Sequence, residues 1–183
     1  MSLDKYYYLV GSLPALSLER PPPLTSESFL EACGGQLSPA RLGRLQAVGL
    51  VPVGFGPPGS FERRWQAWET YLRNLLVWRR CHHVGCDQAH QWLRPESDVF
   101  PLLVRQVDEA ITEDSPLECE RRLDQLRWQA LDHLTVGHSF DFEVLVAYRL
   151  RLLLVEKWRD HDTERGEAAF AELTEGLVGQ ALA

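Results

Sequence analysis

The stretch Ser115-Pro116-Leu117-Glu118-Cys119-Glu120-Arg121-Arg122-Leu123-Asp124-Gln125-Leu126-Arg127-Trp128-Gln129-Ala130-Leu131-Asp132-His133-Leu134-Thr135-Val136-Gly137 decides the fold. It opens with a serine able to accept from a free helix N–H and a proline at the first helical position, where no amide donor is needed. A glutamate follows three residues after the serine, the spacing of a capping box. Leu123, Leu126, Ala130, Leu131 and Leu134 then recur at steps that fit one face of an α-helix and not the alternation of a strand. Gly137 supplies the stop.

The same signature recurs elsewhere in the chain. From Ser60, the residues Phe61, Trp65, Trp68, Leu72, Leu75 or Leu76 and Arg79 mark a helix of about five turns. Asp141 precedes a long apolar helix reaching about Trp158, and Thr163 to Leu182 reads as a last amphipathic one. Leu102 to Ile111 forms another after Pro101. Thr25 or Ser26 starts a short helix through about Ala32, closed by Gly34-Gly35, and Ser38-Pro39 starts a second that Gly49 ends. Tyr6 to Pro14 is too brief for periodicity to separate strand from helix. Leu18 to Leu24 contains Pro21-Pro22-Pro23, which predicts an extended connector. The fold class is all-α: a compact bundle of five to seven helices. It forms a single helical domain, with a small N-terminal portion (1–50), a Pro/Gly loop (51–59) and a main helical part (60–183).

The 183-residue chain is 45% hydrophobic, enough to bury one sizeable core. Its formal net charge of −7 speaks against a nucleic-acid surface, which needs Lys and Arg to neutralise phosphates. The longest apolar segment, Phe142 to Val155, is interrupted by Glu143, Arg149 and Arg151, so no membrane span is expected. The N-terminus lacks a basic region leading into a long apolar one, which predicts a cytoplasmic location. Cys33, Cys81, Cys86 and Cys119 read as thiols.

Candidate chemistry is sparse. Cys81-His82-His83-Val84-Gly85-Cys86-Asp87-Gln88-Ala89-His90 gathers metal-ligand types, and a small helical metal-binding regulator or enzyme using Cys81, His83, Cys86 and His90 is the alternative reading of function. The Cys spacing is wider than a zinc knuckle and no second pair follows, so a helix end turning at Gly85 into a new helix is the simpler reading. The loop Gly54-Phe55-Gly56-Pro57-Pro58-Gly59 lacks the Lys-Ser or Lys-Thr of a phosphate loop. Glu109, Glu113, Asp114, Glu118 and Glu120 read as acids complementing helix starts. No catalytic residue and no cofactor is expected. Arg73, Asn74, Arg79 and Arg80 form a basic and polar strip beside a Trp-rich face, and these four are the candidate partner-binding residues.

Three blocks carry a family resemblance: Tyr6-Tyr7-Tyr8-Leu9-Val10-Gly11-Ser12-Leu13-Pro14, Tyr71-Leu72-Arg73-Asn74-Leu75-Leu76, and Leu117 to Gly166. In the last, the telling residues are Glu120, Leu123, Arg127-Trp128, Phe140, Tyr148, Leu152, Trp158 and Gly166. Together they resemble a bacterial family known only as a domain of unknown function, encoded among the components of V/A-type ATPases. Its members look like shortened relatives of the C/d-type adaptor of those enzymes, an all-helical protein between the central shaft and the proteolipid ring. The resemblance implies a C/d-like fold and a non-catalytic central-stalk component that couples shaft to ring. Its partners would be the shaft proteins and the proteolipid ring, and it would be peripheral to the membrane through the complex.

Overall fold

In the computed structural model, which describes residues 6–53 and 56–159, all regular structure is helical. The elements are α1 (Tyr7–Ser12), α2 (Ser26–Gly34), α3 (Pro39–Ala47), α4 (Phe61–His83), a 3₁₀ turn (Ala89–Trp92), α5 (Pro101–Ile111), α6 (Pro116–Leu134) and α7 (Phe142–Arg159). The expected all-α class is met by seven α-helices among the described residues. The helix expected over Thr163 to Leu182 lies outside them, as do Gly54 and Phe55.

Side-chain caps set most of the starts. Thr25, Ser38, Ser60 and Ser115 each accept from a backbone N–H of the first turn that follows, at 3.2, 3.4, 3.4 and 3.3 Å. The capping box at Ser115 is only half made. Ser115 Oγ accepts from Leu117 N–H, while Glu118 turns forward to accept from Arg121 at 2.6 Å. The segment Tyr6 to Pro14 resolves as a short helix. Tyr6 N–H donates to Phe140 C=O at 2.5 Å, and Tyr7 packs on the Phe140 ring at 4.9 Å.

Helix α7 is the centre of the bundle. Leu145, Val146, Ala147, Leu150, Leu152 and Leu154 are all fully buried, so apolar residues surround the helix instead of forming one stripe. It packs against α2, α3, α4 and α6. The N-terminal portion belongs to the same core: Leu9, Phe29, Cys33 and Leu45 cluster with Phe61, Trp65, Leu131 and the α7 residues. A second apolar cluster joins Tyr71, Leu72 and Leu76 of α4 to Leu103, Val107 and Ala110 of α5 and Leu123 and Leu126 of α6. Trp68 packs against both clusters. Helices α4 and α6 therefore run antiparallel through both, each giving one half of its face to either cluster. No helix among the described residues is long and apolar enough to cross a membrane.

Candidate functional site

The four predicted partner-binding residues lie on α4, in unequal settings. Asn74 is 2% exposed; its amide donates to Arg94 C=O at 2.8 Å and to Glu96 at 2.7 Å, and its oxygen accepts from Arg94 N–H at 3.0 Å. It pins the segment after the 3₁₀ turn to α4. Arg73 donates to Glu69 at 2.7 Å and to Leu50 C=O at 3.3 Å. Arg79 makes a two-pronged contact with Asp108 of α5, at 2.5 and 2.8 Å. Hydrogen bonding to Asp108 and the Asp108 charge, opposed by desolvation, push the Arg79 pKa above the ordinary value. Arg80 alone points outward, forming no hydrogen bond or ion pair with any described residue, although its charge reaches the Cys119 thiol.

Several large apolar side chains of α4 and of the segments packed on it are open. Trp78 is 50% exposed, Val84 72%, Trp92 68% and Leu102 84%. They fall on the last turns of α4, the 3₁₀ turn packed against it, and the start of α5.

Midway along α4, where the two apolar clusters meet, is a buried ionic network. Arg127 of α6 donates to Glu69 of α4 at 3.1 and 3.3 Å and to Asp124 at 2.6 Å. Asp124 also accepts from Lys157 at 2.9 Å and from the Trp158 indole N–H at 2.8 Å, both on α7. Glu120 accepts from Arg127 at 3.3 Å and from Lys157. Burial works against the Arg127 charge, yet Glu69 and Asp124 outweigh it and raise its pKa. Burial likewise works against the Glu120 carboxylate, and Lys157 and Arg127 overcome it, lowering its pKa. Glu120 is therefore more than a helix-start acid. The sequence signal is a charge on an apolar stripe: Glu69 sits four residues from Trp65, and Arg127 four from both Leu123 and Leu131.

The four ligand candidates of the Cys81–His90 segment do not converge. Among the described residues, only His138, Asp141 and Glu143 bring three ligand atoms within 4.8 Å of one another. There His138 Nδ1 is 2.9 Å from Asp141 Oδ2 and Nε2 is 3.4 Å from an Arg64 nitrogen. That pattern fits an imidazole that donates at Nδ1 to Asp141 and accepts at Nε2 from Arg64. A cavity of about 480 Å³ between α2, α3 and α7 is lined by Glu27, Glu31, Leu42 and Arg149. The Arg149 Nε and Nη1 are buried there without a hydrogen-bond partner among the described residues, and burial lowers its pKa against the opposing charges of Glu156 and Cys33.

No curated protein and no solved structure matches the chain. Helices α5, α6 and α7, with the Arg127–Asp124–Lys157 part of the network, fall within residues 97–180, the stretch that matches the model of the family described as Protein of unknown function (DUF2764).

Proposed function

We propose that this protein is a non-catalytic adaptor that acts by holding other proteins: a central-stalk component of a bacterial V/A-type ATPase, resembling the C/d-type adaptor, that couples the rotor shaft to the membrane ring. The observation that carries the adaptor reading is the exposed end of α4. Trp78 and Val84 stand open on the same last turns as Arg80, which pairs with no described residue, and Trp92 on the 3₁₀ turn is open as well; Trp and Arg are the types most enriched among residues that dominate binding energy. A single chain gains nothing by keeping such side chains in water, whereas a partner surface would bury them. The all-helical architecture supports the comparison with that adaptor, as do the resemblance blocks, whose residues Tyr71, Leu72, Asn74, Glu120, Leu123 and Arg127 form the second cluster, its α4 anchor and the ionic network. A buried ion network across α4, α6 and α7 gives a torque-bearing element a fixed register between its helices.

The test is affinity capture of the tagged full chain from its native host, followed by binding measurements with the separately purified shaft proteins. Recovery of those proteins and direct binding supports the assignment. Absence of all ATPase components from the captured material removes the stalk assignment.

A further inference from the structure

Helix α4 ends in a complete Schellman cap. Gly85 takes the left-handed conformation at φ +68°, Gly85 N–H donates to His82 C=O at 3.3 Å, and Cys86 N–H donates to Cys81 C=O at 2.8 Å. These two bonds define the motif, in which the residue just past the turn packs against the one three residues before the C-cap, here Cys86 and Cys81. That contact is usually between two apolar residues. Here both positions are cysteine, and both thiols are free and partly exposed. We propose that Cys81 and Cys86 are a thiol–disulfide modification site, closed by exchange with a low-molecular-weight disulfide, and that closure covalently fixes the last turn of α4. The inference is independent of the adaptor reading.

Partial burial and the neighbouring Cys86 thiol push the Cys81 thiol above its ordinary value. In this scheme the attack falls to Cys86, which lies past the cap, and the resolving step to Cys81, the thiol that is harder to ionise. Cys86 loses its proton to solvent and its thiolate attacks one sulfur of RS–SR; that S–S bond breaks and RS⁻ leaves, taking up a proton as RSH. Cys81 then gives its proton to solvent and attacks the Cys86 sulfur of the mixed disulfide, expelling a second RS⁻. In sum, two thiols are oxidised to one disulfide and one RS–SR is reduced to two RSH. The remaining cysteines lack a partner for this step: Cys33 is fully buried, and burial raises its pKa to about 11, while burial and Glu120 raise that of Cys119.

The experiment is peptide mapping by mass spectrometry of the full chain after incubation with oxidised glutathione at mildly alkaline pH. The expected product is an internal Cys81–Cys86 link, two hydrogen atoms lighter, formed roughly tenfold or more faster than any product at Cys33 or Cys119. Cys81→Ser is expected to trap one stable glutathione on Cys86. Cys86→Ser is expected to lose the fast reaction altogether. The proposal is overturned if the wild-type chain carries glutathione on both cysteines without linking them, links either to another residue or chain, or reacts no faster there than at Cys119. Because the wild-type map decides by itself, poor folding of a variant leaves the test intact.

Discussion

Glu69 and Arg127, 58 residues apart in sequence, meet at 3.1 Å between the two apolar clusters, with the Glu69 side chain fully buried and that of Arg127 8% exposed. Neither charge has access to water in quantity: Glu69 relies on Arg127 and Arg73, and Arg127 on Glu69 and Asp124. Removing either member of the pair leaves a buried charge under-compensated. Glu69→Leu or Arg127→Met is therefore expected to destabilise the fold by about 3–5 kcal/mol. The double variant is expected to be more stable than either single one, because Asp124 keeps Lys157 and Trp158. A double-mutant cycle by urea unfolding measures this, and strictly additive losses would contradict it.

The lowered pKa of Glu120 makes a prediction about acid. A carboxylate held ionised in the folded chain binds fewer protons than the same group in the unfolded chain, so its stabilisation is complete above the ordinary glutamate value of 4.5 and is lost as pH falls through the depressed one. The stability gap between the wild type and Glu120→Gln is expected to be full near neutrality and to close on acidification below 4.5. Unfolding midpoints across that window check it. A gap that widens toward acid would reverse the sign and exclude the Lys157 pairing as its cause.

Trp128 packs at the edge of the main core and is only half-buried, with the Arg151 guanidinium 5.5 Å from its ring centre. A fully buried tryptophan would cost about 3–5 kcal/mol on truncation to alanine. For this one, about 2 kcal/mol is expected, since the ring already meets solvent on one side. The fall in melting temperature of Trp128→Ala measures it; an unchanged value would mean that neither the core contact nor the cation contributes.

Much of the fold is legible because its starts are chemical. Ser38-Pro39, Ser60 and Ser115-Pro116 each carry an oxygen for an orphan N–H, and each opens a helix where expected. Ends are less legible. Helix α3 stops at Ala47, two residues before Gly49, once Val48 takes an extended conformation. Helix α4 continues past Arg79 to the cap at Gly85, where the sequence also suggests a following helix and the chain forms only a 3₁₀ turn. The candidate site is less legible still. A one-dimensional pattern treats Arg73, Asn74, Arg79 and Arg80 alike as a polar strip, while the fold buries Asn74, ties Arg73 and Arg79 to carboxylates and leaves Arg80 open. Glu69 and Arg127 each show in the sequence as a charge on an apolar stripe, but their pairing does not, because the partner of each charge lies on another helix.

That sorting sharpens the test of the interface. Charge reversal at Arg79 would set a carboxylate against Asp108, and reversal at Arg73 would set one beside buried Glu69, so either change would disturb α4 itself. Arg80 has no such entanglement, and Trp78 is half in water. Trp78→Ala combined with Arg80→Glu is therefore expected to leave the far-ultraviolet circular dichroism spectrum unchanged and the unfolding midpoint close to that of the wild type. If the end of α4 is the docking surface, losing an anchoring tryptophan and reversing an adjacent charge removes about 2 kcal/mol or more of binding, roughly thirtyfold in Kd for the ATPase shaft proteins. Weakening of association at low salt that fades at high salt would assign the Arg80 part to electrostatic steering, and the salt-independent remainder to the tryptophan. Wild-type affinity in a folded double variant would move the docking surface away from this end of the molecule.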